Sequence, residues 1–465
     1  MVEEKKIVAT IFMRDLEKVK KEVEECFTLG ADIVEIRIDS FESPFDAIQF
    51  FDLIPKYPLI FSGNRQQIDK KELKVLLKAQ ELGALIDLPY FNYFTYPKNL
   101  KKKLILSYHG KIESFGQFQK NVIKMSFYSK FIKIIPPKEN IFRAAQFLKW
   151  ISRLYKKYHL IAFPSGEESK FARILSLAYG SNFVYCLSPN SEKTLPGQID
   201  INELNLYYPK EITRNTVITG LLGYPLEFTL SPEIWNYWFY ENNIDARYLP
   251  FVSREIQNAL EAFKVLKVSF FGVTAPHKNT IVQYLNKMTN NAEKSSSVNT
   301  VLVTESGFYG FNTDIYGIKR ATSFLPNGLK VLILGSGGTA RSAIFSLKNN
   351  HQVVLSSRDE FKGKSFSKEF GIDFALWEEK ENYEYDLIVN TTSIGSDNKL
   401  VPWNIDKPLK SKYLLEMVVP SQGKTPFEKF AEENGVKTIN GKIPLYLQAK
   451  IQYKLFKKFL NRINL

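Results

Sequence analysis

Cysteine is nearly missing: Cys26 and Cys186 stand alone, far apart and without a CxxC partner, so neither a disulfide framework nor a thiolate zinc site is expected. Both read as core thiols. Four histidines with no HxxxH or His/Cys cluster give a protein-bound metal little support. No apolar run approaches the ~20 residues needed to cross a bilayer. The opening Met-Val-Glu-Glu-Lys-Lys lacks the basic and apolar regions of a secretory signal. A cytoplasmic protein without a membrane partner is expected. The net charge of +14 comes with no zinc-finger, RRM or basic-helix pattern, so no nucleic-acid partner is expected. The lysine excess reads as a solvated surface that also suits anionic small molecules.

What is present is a soluble α/β composition, 44% hydrophobic and 24% charged, over 465 residues. At about one domain per 150 residues, two to four units are expected. From residue 6 to about 190, short β-branched runs alternate with longer amphipathic segments, the pattern of parallel strands joined by helices. Eight strands are expected, at 7–12, 33–39, 58–62, 84–88, 104–108, 131–135, 159–163 and 182–187, with helices such as 16–29 and 140–158 between them. Eight such units make a small (β/α)₈ barrel. Residues 196–214, with a helical stretch at 202–208, read as a linker. A second α/β pattern runs from Val217 to about Asp314, a strand at 329–334 opens a glycine-rich turn, and an amphipathic helix over 443–460 ends the chain. The expected division is a barrel with its linker over 1–212, a substrate domain over 213–316 plus 441–465, and a Rossmann-type dinucleotide domain over 317–440.

Reactive groups of a barrel belong at the carboxyl ends of its strands. In Ile33-Val34-Glu35-Ile36-Arg37-Ile38-Asp39 the alternation puts the three charged residues on one face. With helices covering the outside, that face enters the barrel mouth. Lys133 interrupts Phe131-Ile132-Lys133-Ile134-Ile135. A lysine in an apolar run is costly to bury charged, which favours a neutral amine able to attack a ketone. His109 follows the strand Leu-Ile-Leu-Ser-Tyr and is a candidate base. Taken singly, a snorkelling lysine and a structural histidine are the plainer alternatives. On adjacent strands of one barrel the two weigh more together.

These pieces resemble the type I dehydroquinate dehydratases over roughly residues 6–198: Ala-Asp-Ile-Val-Glu-Ile-Arg-Ile-Asp (31–39), Ser-Tyr-His (107–109), Phe-Ile-Lys-Ile (131–134), Phe-Ala-Arg-Ile-Leu (171–175) and Thr-Leu-Pro-Gly-Gln (194–198). The resemblance implies that Lys133 forms an imine with the substrate ketone and that His109 moves the protons. It further implies that Glu35 and Arg37 hold substrate hydroxyls or orient His109, that Arg173 pairs the substrate carboxylate, and that Thr194 and Gln198 close the site. Ser62-Gly63-Asn64-Arg65-Gln66-Gln67 departs from the family, with Arg65 shifted by one and the glutamate that assists the histidine lacking a counterpart.

In the second half, Val331-Leu332-Ile333-Leu334 runs into Gly335-Ser336-Gly337-Gly338-Thr339-Ala340, a GxGxxA turn leading to a helix near Thr339. Such glycines let the backbone approach a pyrophosphate, and the helix N-terminus adds N–H donors. The strand over 352–356 ends in Ser357-Arg358-Asp359. An arginine there accommodates a 2′-phosphate, whereas an acid would take a ribose hydroxyl, so Arg358 argues for NADP while Asp359 beside it argues the other way. Val273-Thr274-Ala275-Pro276-His277-Lys278, Ser297-Val298-Asn299-Thr300-Val301, Gly310-Phe311-Asn312-Thr313-Asp314, Leu230-Ser231-Pro232 and Tyr446-Leu447-Gln448-Ala449 are similar to the shikimate dehydrogenases over about residues 219–460. The resemblance assigns Lys278 and Asp314 as the catalytic pair and Thr229, Ser231, Thr274, Asn299 and Gln448 as substrate holders. Phe228-Thr229 and Glu416-Met417-Val418-Val419 depart from that family's His-Ser and Asp-Met-Val-Tyr.

Together the resemblances imply a bifunctional enzyme whose first half makes 3-dehydroshikimate and whose second reduces it to shikimate. A dehydrogenase with a weak or inactive barrel, and a quinate- or shikimate-sensing regulator, remain open as alternatives. Oligomeric state is not readable.

Overall fold

The computed structural model describes residues 5–64, 68–90, 103–226, 229–420 and 423–463. Arg65 and Phe228, two of the departures noted above, lie outside the described residues. The chain groups into two compact units, Met1–Val217 with Asn236–Lys267 and Ile218–Trp235 with Val268–Leu465.

The barrel strands are β1 (Lys6–Ile11), β2 (Ile33–Arg37), β3 (Leu59–Ser62), β4 (Leu85–Pro89), β5 (Leu104–Tyr108), β6 (Phe131–Ile134), β7 (His159–Ala162) and β8 (Phe183–Leu187). They pair in parallel in the order β7-β6-β5-β4-β3-β2-β1-β8. Between β7 and β8 the ring is completed by Asn182 N–H donating to Leu160 O (2.6 Å) and Ala162 N–H donating to Ser181 Oγ (3.0 Å). Every strand lies within two residues of its expected bounds. The 33–39 strand stops early because Ile38–Ser40 turns into a 3₁₀ segment, where Ser40 Oγ donates to Arg37 O (2.7 Å).

Period-two alternation stacks the barrel interior in layers. Val8, Ile33, Ile60, Ile105, Phe131 and Phe183 form an apolar floor, with Leu85 packed against it. Two residues farther along each strand stand Thr10, Glu35, Ser62, Asp87, Ser107, Lys133 and Tyr185, all buried. A polar layer thus sits directly on the apolar one.

The second sheet holds β9 (Val217–Gly223), β10 (Ala246–Val252), β11 (Phe270–Val273), β12 (Lys287–Met288), β13 (Thr300–Thr304) and β14 (Gly307–Phe311), in the order β10-β9-β11-β13-β14-β12. It is mixed, with β13 antiparallel to both of its neighbours. The third sheet, β15 (Lys330–Leu334), β16 (Gln352–Ser356), β17 (Asp373–Ala375), β18 (Leu387–Asn390), β19 (Tyr413–Glu416) and β20 (Lys437–Ile439), is all parallel. Its order β17-β16-β15-β18-β19-β20 is the doubly wound arrangement, whose ligand crevice opens where the order reverses, beside β15 and β18.

The linker helix is shorter than expected, Ile201–Asn205. The chain turns away after it, and Tyr207 O accepts from Arg247 Nε (2.6 Å). The last helix, Lys442–Ile463, is longer than expected. Its Phe456 is fully buried, 5.6 Å from the Phe270 ring and 6.0 Å from that of Trp235. Removing that ring leaves a cavity worth about 3–5 kcal/mol, whereas Phe456→Leu keeps most of the volume. In urea titration, Phe456→Ala is expected to lower the unfolding midpoint of the second unit well below that of Phe456→Leu, with the first unit's transition unmoved.

Candidate functional site

Lys133 projects from the middle of β6 into the barrel and is 1% exposed. Its Nζ stands 2.7 Å from Asp87 Oδ2, 3.5 Å from Glu35 Oε1 and 4.0 Å from the centre of the Tyr185 ring. In sequence this lysine interrupts an apolar run; in the structure β4 and β2 bring two carboxylates against it, Asp87 and Glu35. A buried ammonium is tolerable only with such partners. Asp87 was missed in the sequence. Its signal was the one that singled out Lys133, a charged residue at the inward position of an apolar strand.

Glu35 is held from its other side by Thr10 Oγ1, which donates at 2.7 Å. Arg37 is gripped by Asp39, with Nε and Nη2 donating at 2.8 and 2.5 Å. Above the polar layer, a cavity of about 460 Å³ is lined by Arg37, Asn64, His109, Lys133, Arg173, Thr194 and Gln198 among others. The structure therefore brings the sequence candidates to one chamber, with Glu35 beneath it. Of the basic side chains facing this space, Arg37 is paired with Asp39 and Lys133 with Asp87 and Glu35, while Arg173 Nη1 donates to Tyr185 O. At its lip Gln198 Oε1 accepts from Thr194 N–H (2.7 Å) and Leu195 N–H (2.8 Å). Gly197 closes that turn at φ +77°, and a Cβ there would stand 2.1 Å from Gly166 O, so only glycine fits.

The second cluster is built by four separate elements. Lys278 lies in the short helix His277–Thr280 after β11, Asn299 precedes β13, Asp314 begins the helix Asp314–Ala321, and Gln448 comes from the last helix. Lys278 Nζ donates to Asp314 Oδ2 (2.6 Å) and to Thr339 Oγ1 (3.1 Å). Asn299 Nδ2 reaches Asp314 Oδ1 (2.7 Å), Thr313 Oγ1 (2.9 Å) and Gln448 Oε1 (3.2 Å). Asp314 is 8% exposed. Thr313, absent from the candidates read in the sequence, bonds Gln448 Oε1 at 3.0 Å and belongs to the same network. Thr229 accepts from Ser231 N–H (3.3 Å) at the start of the Ser231–Glu241 helix. Thr274 follows β11, and its methyl group would stand 2.4 Å from a Cβ on Gly223.

The glycine-rich turn lies at the crevice of the third sheet, and its helix is Gly338–Leu347. Its glycines answer to different needs. Gly335 has φ +111°, and a Cβ on Gly337 would meet nothing within 4 Å, which leaves its backbone open to a ligand. Gly338 instead faces Lys278, whose Cβ would be 2.6 Å from an added Cβ. Ala340 is buried behind the turn. Ser357 Oγ donates to Ser336 Oγ (2.8 Å), tying the end of β16 to the turn. Arg358 is exposed beside it. The Asp359 carboxylate caps the helix Glu360–Phe370 by accepting from Lys362 N–H (3.0 Å). With Arg358 exposed at the end of β16, the residues present fit a dinucleotide carrying a 2′-phosphate.

Among the described residues no group of three or more His, Cys, Asp and Glu is placed to hold a metal ion, and no helix is long and apolar enough to cross a membrane.

Comparison with known proteins gives two family matches: residues 7–212 match "Type I 3-dehydroquinase" and residues 221–301 match "Shikimate dehydrogenase substrate binding domain". A shikimate dehydrogenase (NADP(+)) of Caldanaerobacter subterraneus subsp. tengcongensis is 34% identical over 264 residues, covering 53% of this chain and 93% of the relative. That of Pyrococcus abyssi is 31% identical over 245 residues, covering 51% and 91%. The crystal structure of shikimate dehydrogenase from Aquifex aeolicus is 29% identical and covers 53% of this chain and 94% of its own, with a TM-score of 0.48.

Glu416, at the departure from the dehydrogenase pattern, is fully buried at the end of β19. Burial pushes its carboxyl up to about 8, against the opposing pull of hydrogen bonds from Val418 N–H and the Asn390 amide. A folded-state value above the ordinary 4.5 means that the folded protein keeps a proton the unfolded chain releases. That stabilisation is complete below about pH 4.5 and is lost as pH rises through about 8. In thermal melts from pH 5 to 8, the second unit of the wild type is expected to lose more melting temperature than Glu416→Gln. Parallel curves would remove the assignment.

Proposed function

We propose, from the premise that this chain belongs to the shikimate dehydrogenase family through its second half and matches type I 3-dehydroquinase through its first, that it performs two consecutive reactions. The first is dehydration of 3-dehydroquinate to 3-dehydroshikimate, the second NADPH-dependent reduction of that product to shikimate. The observation that carries the reading is a lysine–aspartate pair made twice: Lys133 with Asp87 at 2.7 Å and Lys278 with Asp314 at 2.6 Å. The proposal includes the domain division over 1–212, 213–316 with 441–465, and 317–440.

In the barrel, Asp87 takes the proton from the Lys133 ammonium, and the freed amine attacks the substrate ketone. Loss of water from the adduct leaves an imine between Nζ and the former carbonyl carbon. The imine withdraws electrons from the neighbouring carbon, so His109 can remove its proton. The electron pair forms the ring double bond as the β-hydroxyl departs, and His109 returns its proton to the leaving oxygen, giving water. Hydrolysis of the imine restores the lysine. Arg173 holds the substrate carboxylate by charge-assisted hydrogen bonds. Thr194 and Gln198 close the mouth.

In the second unit, Gly335, Gly337, Gly338, Thr339, Ala340, Ser357 and Arg358 would hold the dinucleotide. NADPH, when bound, supplies a hydride to the ketone carbon of 3-dehydroshikimate. Its oxygen must gain a proton in the same event, and the Lys278 ammonium donates it. Asp314 fixes the lysine and shares its charge. Asn299 and Gln448, with Thr229, Ser231 and Thr274, orient the ring hydroxyls and carboxylate.

Borohydride added with 3-dehydroquinate is expected to trap a covalent adduct on Lys133, located by mass spectrometry. Lys133→Ala should abolish dehydration yet leave 3-dehydroshikimate reduction nearly unchanged, as expected of separate sites. An adduct elsewhere in active protein would sink the imine assignment. A wild-type chain that reduces but does not dehydrate would leave a dehydrogenase with a silent barrel. A chain that binds the ligands without turning either over would be a sensor.

Arg358→Ala should weaken NADPH while barely affecting NADH, because only the 2′-phosphate accepts its hydrogen bonds. A charge-assisted bond contributes roughly 1.5–3 kcal/mol, or about ten- to a hundredfold in affinity. The exposed Lys362 and Lys364 share the phosphate and soften the loss. Equal use of both cofactors by the wild type would assign the ribose to Asp359 instead.

A further inference from the structure

Arg173 is carried on a helix of only six residues, Lys170–Leu175, too short to hold its own orientation. Its guanidinium is fixed on the barrel side, where Nη1 donates to Tyr185 O (3.0 Å) and the group lies 4.6 Å from the Phe163 ring. Two residues earlier, about 200° around the helix, Phe171 points the opposite way. What it meets is not barrel sequence. The fully buried Phe171 ring packs 5.3 Å from that of Phe251 on β10, which in turn meets Phe263 of the helix Ile256–Leu266 at 4.7 Å.

The same segment grips the Arg173 helix directly ahead of its start and, through the linker turn that carries Tyr208, near its end. Before it, Ser253 Oγ donates to Glu168 Oε2 (3.2 Å), a carboxylate that also accepts from Ile141 N–H (3.3 Å). After it, Tyr208 donates its hydroxyl to Ile174 O. The turn bearing Tyr208 is pinned by the buried Arg247, whose guanidinium donates to Tyr207 O (2.6 Å) and Lys210 O (2.7 Å). All of these residues lie in the first compact unit, to which Asn236–Lys267 belongs by packing, yet that stretch falls inside residues 221–301, matched to the dehydrogenase substrate-binding domain.

We infer that residues 236–267 serve the barrel site as a positioning element, with Phe251 the residue that sets Arg173 for the substrate carboxylate. The inference rests on the proposed dehydratase activity. Phe251 touches no substrate; it acts through Phe171 and the helix that carries Arg173. The barrel chamber is therefore complete only when residues 236–267 are folded against it.

The test uses the full chain with Phe251→Ala, Phe251→Leu and Ser253→Ala. Steady-state dehydration should show a KM for 3-dehydroquinate raised roughly two- to thirtyfold in Phe251→Ala, the range for contacts acting through packed side chains, with kcat close to wild type. Phe251→Leu should restore most of the loss and Ser253→Ala should show a smaller rise. Hydrogen exchange, read by mass spectrometry, should quicken across residues 167–175 in the same order. An unchanged KM, or a fall in kcat alone, overturns the inference. So does unchanged exchange over 167–175. Should Phe251→Ala not fold, the milder Ser253→Ala and Phe251→Leu decide on the same readouts. If the wild type does not dehydrate, the dehydratase reading fails, and exchange alone decides whether the segment positions the helix.

Discussion

A lysine held against an aspartate is the interaction on which both sites depend. Taking an ammonium out of water costs several kcal/mol even after relaxation, so the buried Lys133 requires a carboxylate at hydrogen-bond distance, and the half-buried Lys278 has one in Asp314. In the barrel the stagger of parallel strands brings Glu35, Asp87 and Lys133 together: Glu35 pairs through Ile60 with Leu85, two residues before Asp87, and Asp87 pairs through Ile105 with Phe131, two residues before Lys133. The layer below, Val8, Ile33, Ile60, Ile105, Phe131 and Phe183, is apolar and buried. It denies water to the pair from beneath, which strengthens the electrostatic contact above it.

The second pair is assembled differently. No single sheet layer supplies Lys278, Asn299, Asp314 and Gln448; they arrive from a short helix, a strand entry, a helix start and the last helix. Close backbone approach takes the place of register. Gly338 lets the glycine-rich helix stand against Lys278, and the hydroxyl of Thr339 then reaches the ammonium at 3.1 Å. Lys278 is thereby fastened to the glycine-rich helix, so that in the proposed reduction the proton donor and the dinucleotide would share one frame.

Most of the barrel was legible because its signals are local. Strand bounds follow from β-branched runs, and inward faces follow from period two, as the charged set of 33–39 shows. Asp87 was legible in principle, since it sits in the same pattern, but a single aspartate before Leu-Pro also reads as a strand end. Legibility fell where partners are distant in sequence. Nothing in Phe251 or Phe171 alone announces that one ring holds the other, and nothing in Thr313 separates it from the Asn-Thr-Asp motif around it. Asp359 shows the same limit: its cap on Lys362 N–H is a contact visible only once the helix start is placed.

Consecutive chemistry explains why two such sites profit from one chain, but it does not by itself require that either half touch the other's active residues. The packing of β10 and its helix on the Arg173 helix adds that requirement. A six-residue helix contributes few hydrogen bonds of its own, so the direction of its arginine is set by whatever packs behind it. Here that backing is aromatic and fully buried: Phe171 against Phe251 against Phe263. Interiors packed this closely transmit displacement rather than absorb it. A shift of β10 therefore reaches the Arg173 guanidinium, and an anion held by that guanidinium must act back on β10 with the same coupling free energy.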